Sequence, residues 1–424
     1  MLLLLSEKIN FMPVSDNSYS NLAAALTGLS EQELPQACLK RSAEDSFFDD
    51  CPFAWKHFSN RGFLTVHAED VPWMGAFNYF KKGFKSKPTD YYFRTLSYPL
   101  GTELGNLNLG SIPICYGPRL AFKILLDYMK RILTITDSKQ RLFQFIWSNS
   151  LFEEIGGLPQ IADYILLELF RWMKFTGIFE NTALILMSDQ GTRFEEFRNT
   201  TQGKLEARLP FLHFVFPEWF RAKYPIAIAN MEANRGKITS PFDVYETLVD
   251  LAALDNLSQY QLGKRMNAAS RWTEMYIPRE ISLFVPIPLF RDCPMAGIPY
   301  QWCMCLKKQK IPVNSQEGME AAKALIELIN EEIHEYNECE FIHTKKLVSV
   351  NRIMLPKNRT NLEKVYDVNI ITSPGDANLE SVIVKSAEGE WTFSGELSRV
   401  NKYENQIQCV DDLYVRKFCY CHDQ

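Results

Sequence analysis

The sequence predicts an α/β fold, with helices on both faces of a mostly parallel sheet and a smaller C-terminal α+β portion. Three observations carry this. Residues 160–176 place Ile161, Ile165, Leu169 and Trp172 at helical spacing, and Gly177 is a natural residue to end that helix. An apolar strand over 181–188 follows at once and stops at Asp189-Gln190-Gly191. Helix, short loop and continuous apolar strand make the unit of a parallel sheet. Beyond Cys305 the pattern changes: one amphipathic helix over 318–336, then the short β-type runs KKLVSVNRIML, YDVNIIT, ESVIVKS and EWTFSGEL. This change sets a boundary near residue 310, dividing the chain into 1–310 and 311–424.

The remaining elements follow in order. GFLTVHAED, residues 62–70, reads as a strand ending in two acids, and PTDYYFR, residues 88–94, as an aromatic-rich connection. Residues 118–134 have helical spacing, with Leu120, Ile124, Leu125, Tyr128 and Ile132 on one face. FLHFVF, residues 211–216, reads as a second strand closed by Pro217. Ser240 is a good N-cap, Pro241 suits the first helical position and Asp243 completes a capping box, with Leu248 and Leu251 on the apolar face that follows.

Composition excludes several classes. The chain is 424 residues, 46% apolar and 13% aromatic, with mixed charge, which is the composition of a globular protein. A net charge of −5 gives no electrostatic footprint for nucleic acid. No apolar run is long enough for a transmembrane helix. MLLLLSEKIN lacks the basic region and apolar length of a signal peptide.

Cysteine spacing is the first clue to the compartment. Cys293, Cys303 and Cys305 form C-x9-C-x-C, and Cys409, Cys419 and Cys421 repeat it. Three readings fit: a disulfide framework in a secreted or lumenal protein, a metal cluster, or coincidence among reduced cysteines. The framework reading predicts that several of the six lie within bonding reach. Sequons at Asn199, Asn256 and Asn358 are compatible with secretion.

Asp189 is the leading candidate for chemistry. It stands where open α/β sheets bind ligands, at the carboxyl end of a strand, and a carboxylate there can hold a divalent cation or cap the following turn. His213, alternating with Leu212 and Phe214, reads as a half-buried structural residue.

The stretch LMSDQGTRFEEFRNTTQGKLEARLPFLHFVFP resembles the core signature of the alkaline-phosphatase and sulfatase superfamily, and more closely the animal family called domain of unknown function 229. NSYSNLAAALTGLSEQELP, the block from DDCPFAWKHF to TDYYFR, TSPFDVYETLVDL, RDCPMAGIPYQWCMC and CVDDLYVRKFCYC are similar to further blocks of that family, in order. The resemblance implies an alkaline-phosphatase-like sandwich, a metal site built on strand-end acids, and hydrolysis or transfer of phosphate or sulfate esters. It implies Asp189, Gln190 and Asp163 as metal positions and zinc or calcium as cofactor. Lys204 and Glu206 resemble the sulfatase K-x-E-x-R-x-P turn, with Lys204 as an anion contact. Glu69 and Asp70 fit the family's acidic strand end.

The departures are concrete. Gln190 stands where the family has histidine, and an amide oxygen is a poorer ligand than imidazole for zinc-like ions. Phe152 stands at a second histidine position, and only Glu153 and Glu154 keep acid there. The segment carrying the first metal aspartate and the nucleophile has no match ahead of NSYSN. The expectation is a sulfatase/phosphatase-like protein that is catalytically impaired, its metal weakened or lost, with a binding role toward a small anionic ester or glycan. The alternatives are an active metal-dependent ester hydrolase with unusual ligands, or a truncated gene model of one. The site reading further expects Asp189 at a strand end, near Asp163 or the Phe152 turn.

Overall fold

The computed structural model describes residues 10–43, 45–109, 112–136, 139–152, 158–191, 197, 200–355, 363–401, 408–410, 412 and 414–422. The chain divides into two compact units, one of Met1–Phe11, Asn17–Asp189 and Phe211–Ala296, the other of Met12–Asp16, Gln190–Pro210 and Gly297–Gln424. The second unit thus opens at Gly297 and recruits two short earlier segments.

In the first unit, strand Leu64–Glu69 lies between parallel strands Tyr91–Tyr92 and Leu142–Trp147. Flanked on both edges, it is buried at every position but its first, as the run LTVHAE requires. The aromatic connection at 88–94 supplies the third strand. Thr65 donates to Asp90 from its backbone N–H and hydroxyl, both at 2.8 Å, which pins that crossing. The register pairs Leu64 with Leu142 and Glu69 with Trp147, so the turn after Trp147 comes level with the two strand-end acids.

Helix Ala121–Ile135 packs on two clusters. Phe122, Leu126 and Met129 meet helix Pro159–Phe175, while Leu125 and Ile132, with Ile124 and Tyr128 beside them, cover Val66 and Ala68. Helix Pro159–Phe175 starts with proline at its first position, and Gly177 takes the left-handed conformation (φ 74°) beyond its end. Its buried positions are Ala162, Leu169 and Met173, with Ile165 and Trp172 partly buried beside them, so Ile161, expected on the inner face, is 42% exposed.

Strand Leu184–Met187 pairs antiparallel with Leu212–Val215. The apolar run that predicted a parallel strand therefore lies in an antiparallel pair. An apolar run reports burial, and burial does not fix strand direction. Helix Pro241–Ala252 carries the expected capping box of Ser240 and Asp243. Asp243 also meets Arg291 in a bidentate pair at 2.9 Å, both side chains fully buried, and accepts from Ile281 N–H. The core here is aromatic: Phe53 stacks on Trp55 at 4.1 Å, and Phe48, Phe77 and Phe84 meet Phe53 within 6.5 Å.

The second unit holds the largest sheet, and it is antiparallel. Strands Lys308–Ile311, His343–Ile353, Glu363–Ser373, Asn378–Ser386 and Trp391–Phe393 follow in chain order, with Ser398–Arg399 also on Asn378–Ser386. The four β-type runs of the sequence are four of these strands. Helix Gln316–Ile333, capped by Ser315, packs Ala321, Leu325 and Ile329 against Val350, Val368, Ile370 and Leu379. The mixed α/β class holds, but among the described residues parallel pairing is confined to the strands around Leu64–Glu69 and the short pair Asn10–Phe11 with Ile238–Thr239.

Disulfides join Cys38 to Cys51, Cys339 to Cys419 and Cys409 to Cys421, and Cys293 and Cys303 are half-cystines as well. Several of the six clustered cysteines are bonded, as expected, but the two triplets are not equivalent. Cys305 is an exposed free thiol, while Cys419 bonds Cys339, outside either triplet. Among the described residues, no helix is long and apolar enough to cross a membrane.

Candidate functional site

Asp70 is the most heavily engaged carboxylate at the strand ends. It is fully buried one residue past strand Leu64–Glu69. One oxygen accepts from Asn149 N–H at 2.8 Å; the other accepts from the Ser148 hydroxyl at 2.5 Å, the Ser150 hydroxyl at 2.6 Å and Ser150 N–H at 3.3 Å. The Tyr116 hydroxyl donates to Asp70 C=O at 2.6 Å. Burial raises the Asp70 pKa, and the Ser148, Ser150 and Asn149 donors pull it back. The sequence SNS after Trp147 is thus a cradle of hydroxyls and N–H groups closed around one carboxylate.

Glu69 is used in the same way. Its carboxylate meets His67 Nε2 at 2.8 Å and accepts from Ala76 N–H at 2.9 Å, with both side chains buried. His67 Nδ1 has no hydrogen-bond partner among the described residues. Asp70 therefore spends both oxygens on the turn after strand Leu142–Trp147, while Glu69 divides its oxygens between His67 on its own strand and the loop that follows.

Asp189 lies two residues past strand Leu184–Met187 and is 7% exposed, the strand-end position expected of it. Ser188 N–H donates to Phe211 C=O and extends the ladder to that point. Gly191 is fixed by contact: its N–H donates to Ala207 C=O, and a Cβ would lie 2.3 Å from Glu206 C=O. Only glycine fits this approach.

The remaining candidates have other surroundings. Asp163 is exposed on helix Pro159–Phe175 and makes no hydrogen bond or ion pair among the described residues. Phe152 is 47% exposed and meets Phe122 edge-on at 5.7 Å. Gln190 is half-buried. Glu153, Glu154, Asn199 and Asn358 lie outside the described residues. At the remaining sequon, Asn256 donates its amide to Asp250 at 3.1 Å. His213 is half-buried in strand Leu212–Val215, stacked on Phe211 at 5.6 Å, and burial lowers its pKa.

The K-x-E-x-R-x-P segment is a helix, Thr201–Arg208, capped by Thr200. Lys204 and Arg208, one turn apart, both reach Glu380: Arg208 at 2.6 Å and Lys204 at 3.3 Å. Arg208 and Glu380 are 1% and 2% exposed, and the Arg208 guanidinium also covers Trp302 at 5.4 Å. Lys204, the expected anion contact, is thus ion-paired to a protein carboxylate. Glu206 is exposed and accepts from Gln202. Sequence reasoning missed Glu380 and Arg291. The one signal for Glu380 was an acid set within the apolar run LESVIV.

As a metal site the strand end is thin. Calcium wants six to eight oxygens and zinc four donors. Asp189 and Gln190 offer two oxygen-bearing side chains, and among the described residues no group of three His, Cys, Asp or Glu donors gathers there. The one such group is Cys339, Cys409 and Cys419, whose sulfurs lie within 4.8 Å of one another but are tied up in disulfides. Among the described residues, Asp189 and Gln190 do not by themselves complete the donor set of a zinc or a calcium ion.

A family model described as "Protein of unknown function (DUF229)" matches residues 9–351. The chain belongs to the DUF229 family. That match spans the whole described strand-end layer of Glu69, Asp70, Ser148, Ser150 and Asp189, and the Thr201–Arg208 helix. No curated protein matches this DUF229 chain.

Proposed function

We propose that this DUF229 protein is a secreted or lumenal relative of the alkaline phosphatases and sulfatases that has lost ester hydrolysis and keeps the strand-end layer as structure. The observation that carries this is Asp70, a strand-end acid with both oxygens consumed by Ser148, Asn149 and Ser150. A metal ligand must present a lone pair to an ion, and a two-metal clamp needs several such ligands and a nucleophile in one pocket. Here the acids hold loops, Phe152 replaces an imidazole with a hydrocarbon ring, and Lys204 neutralises Glu380. The disulfides are compatible with an oxidising compartment. A residual binding role toward a small anionic ester or glycan remains part of the proposal.

The test is an assay of the purified chain on aryl phosphates and aryl sulfates with a panel of divalent metals, beside Asp189→Ala and a family member with the full nucleophile and histidine set. The proposal expects turnover from the last alone. Metal-dependent turnover by this chain that Asp189→Ala abolishes would establish an active hydrolase with replaced ligands.

A further inference from the structure

Four cysteines meet in the second unit. Cys339 follows helix Gln316–Ile333, and Cys409, Cys419 and Cys421 belong to the C-terminal segment. They are bonded as Cys339–Cys419 and Cys409–Cys421, but their neighbourhoods hold a second complete pairing. Cys409 Sγ lies 3.7 Å from Cys419 Sγ, across the two bonds. Cys339 and Cys421 face each other as an isolated antiparallel bridge. Hydrogen bonds from Glu340 N–H to Tyr420 C=O at 2.8 Å and from His422 N–H to Glu338 C=O at 3.1 Å bracket that bridge. It is therefore a non-hydrogen-bonded cross-strand pair, in which Cα atoms stand about 4.5 Å apart. Disulfides span Cα separations of roughly 4.4–6.8 Å, so this pair lies within reach of a bond.

We propose that these four cysteines form a disulfide switch, exchanging the observed pairing for one that joins Cys409 to Cys419 and Cys339 to Cys421. Access decides where it starts: Cys409 is exposed, whereas Cys339, Cys419 and Cys421 are 5%, 1% and 5% exposed. A thiolate from solution attacks Cys409 Sγ, forms a mixed disulfide there and releases Cys421 as thiolate. Cys421 attacks Cys339 Sγ across the bridge, forms the second-state bond and releases Cys419. Cys419 then attacks Cys409 Sγ, closes the other bond and expels the original thiolate. Three S–S bonds break and three form; the thiolate is returned, and no electrons or protons are consumed. The switch moves the tether on Cys339 two positions along the C-terminal segment. The chemical class of the effector is a thiol, free or carried by a protein.

The experiment incubates the full chain with and without a reduced and oxidised glutathione mixture, quenches by alkylation, and digests with trypsin and chymotrypsin. Cleavage after Lys417 and Tyr420 separates Cys409, Cys419 and Cys421 for mass spectrometry. The expected result is the observed pairing alone without thiol and both pairings after exposure. The observed pairing alone after exposure overturns the proposal. A second arm uses Cys421→Ser, which leaves Cys409 as a thiol 3.7 Å from Cys419 in the present geometry. Alkylation should then divide between Cys409 and Cys339, with Cys115 and Cys305 labelled as internal references. Label on Cys409 with none on Cys339 overturns it as well.

Discussion

Asp70, one residue past a strand, and Glu380, within one, are both buried carboxylates, yet they are satisfied in opposite ways. Asp70, at the end of a parallel strand in the first unit, is held by hydroxyls and N–H groups of a three-residue turn. Glu380, inside the antiparallel sheet of the second unit, is held by two cations on a helix that precedes it by more than 170 residues in sequence. Neutral donors stabilise a carboxylate without adding a second charge to desolvate. A buried cation must itself be desolvated, so the pair is worth little net, yet breaking it is expensive. Losing one partner should therefore cost less in the first arrangement than in the second.

The sharpest break in this comparison is Arg208→Met. It removes the fully buried cation from Glu380, leaving the half-exposed Lys204 at 3.3 Å, and should cost up to about 3–5 kcal/mol in denaturant unfolding, and adding Glu380→Leu should recover most of the loss. If Arg208→Met is neutral, the cation does not hold Glu380. Asp70→Ala should cost less, about 1–3 kcal/mol, because the Ser148 and Ser150 donors lose an acceptor but carry no charge. Calorimetry of this variant checks it, with Asp70→Asn expected to lie between it and the parent.

A third test uses pH. Glu396 shares the second unit with Asp16 and Lys417, whose ammonium meets Asp16 at 3.2 Å and Glu396 at 2.9 Å. Ser15 also donates to Glu396, and Ser398 donates to Asp16. Burial raises the Glu396 pKa to about 7, with Lys417 lowering it and Asp16 adding to the rise. The folded pKa exceeds the ordinary 4.5, so the stability this group contributes is fully present below pH 4.5 and lost as pH climbs through about 7. Melting temperatures across that window should fall for the parent relative to Glu396→Gln. Parallel curves would remove Glu396 from the titration. The smallest effect is expected of Lys204→Ala, under about 1 kcal/mol, since Lys204 is half-exposed and Arg208 stays on Glu380.

The same contrast explains what could be read from the sequence. The capping box at Ser240, the helix stop at Gly177 and the strand run LTVHAE are local patterns, and each is where the spacing put it. The strand-end place of Asp189 followed from an apolar run meeting polar residues. The direction of strand Leu184–Met187 did not follow, because burial has no polarity. Lys204 was visible as a charge in a motif, but its acceptor sits in the distant run LESVIV, and no spacing rule links them. Arg291 closing on Asp243 was illegible for the same reason. The turn SNS carried no signal of its own; only the strand register brings it level with Asp70.

We propose that the strand-end acids serve the fold and hold no metal. The most direct measurement is calorimetric titration of zinc and of calcium into the disulfide-intact chain, its Asp70→Asn variant and its Asp189→Ala variant. The prediction is no saturable binding that depends on either residue. Stoichiometric binding by the parent that disappears in Asp189→Ala would contradict it.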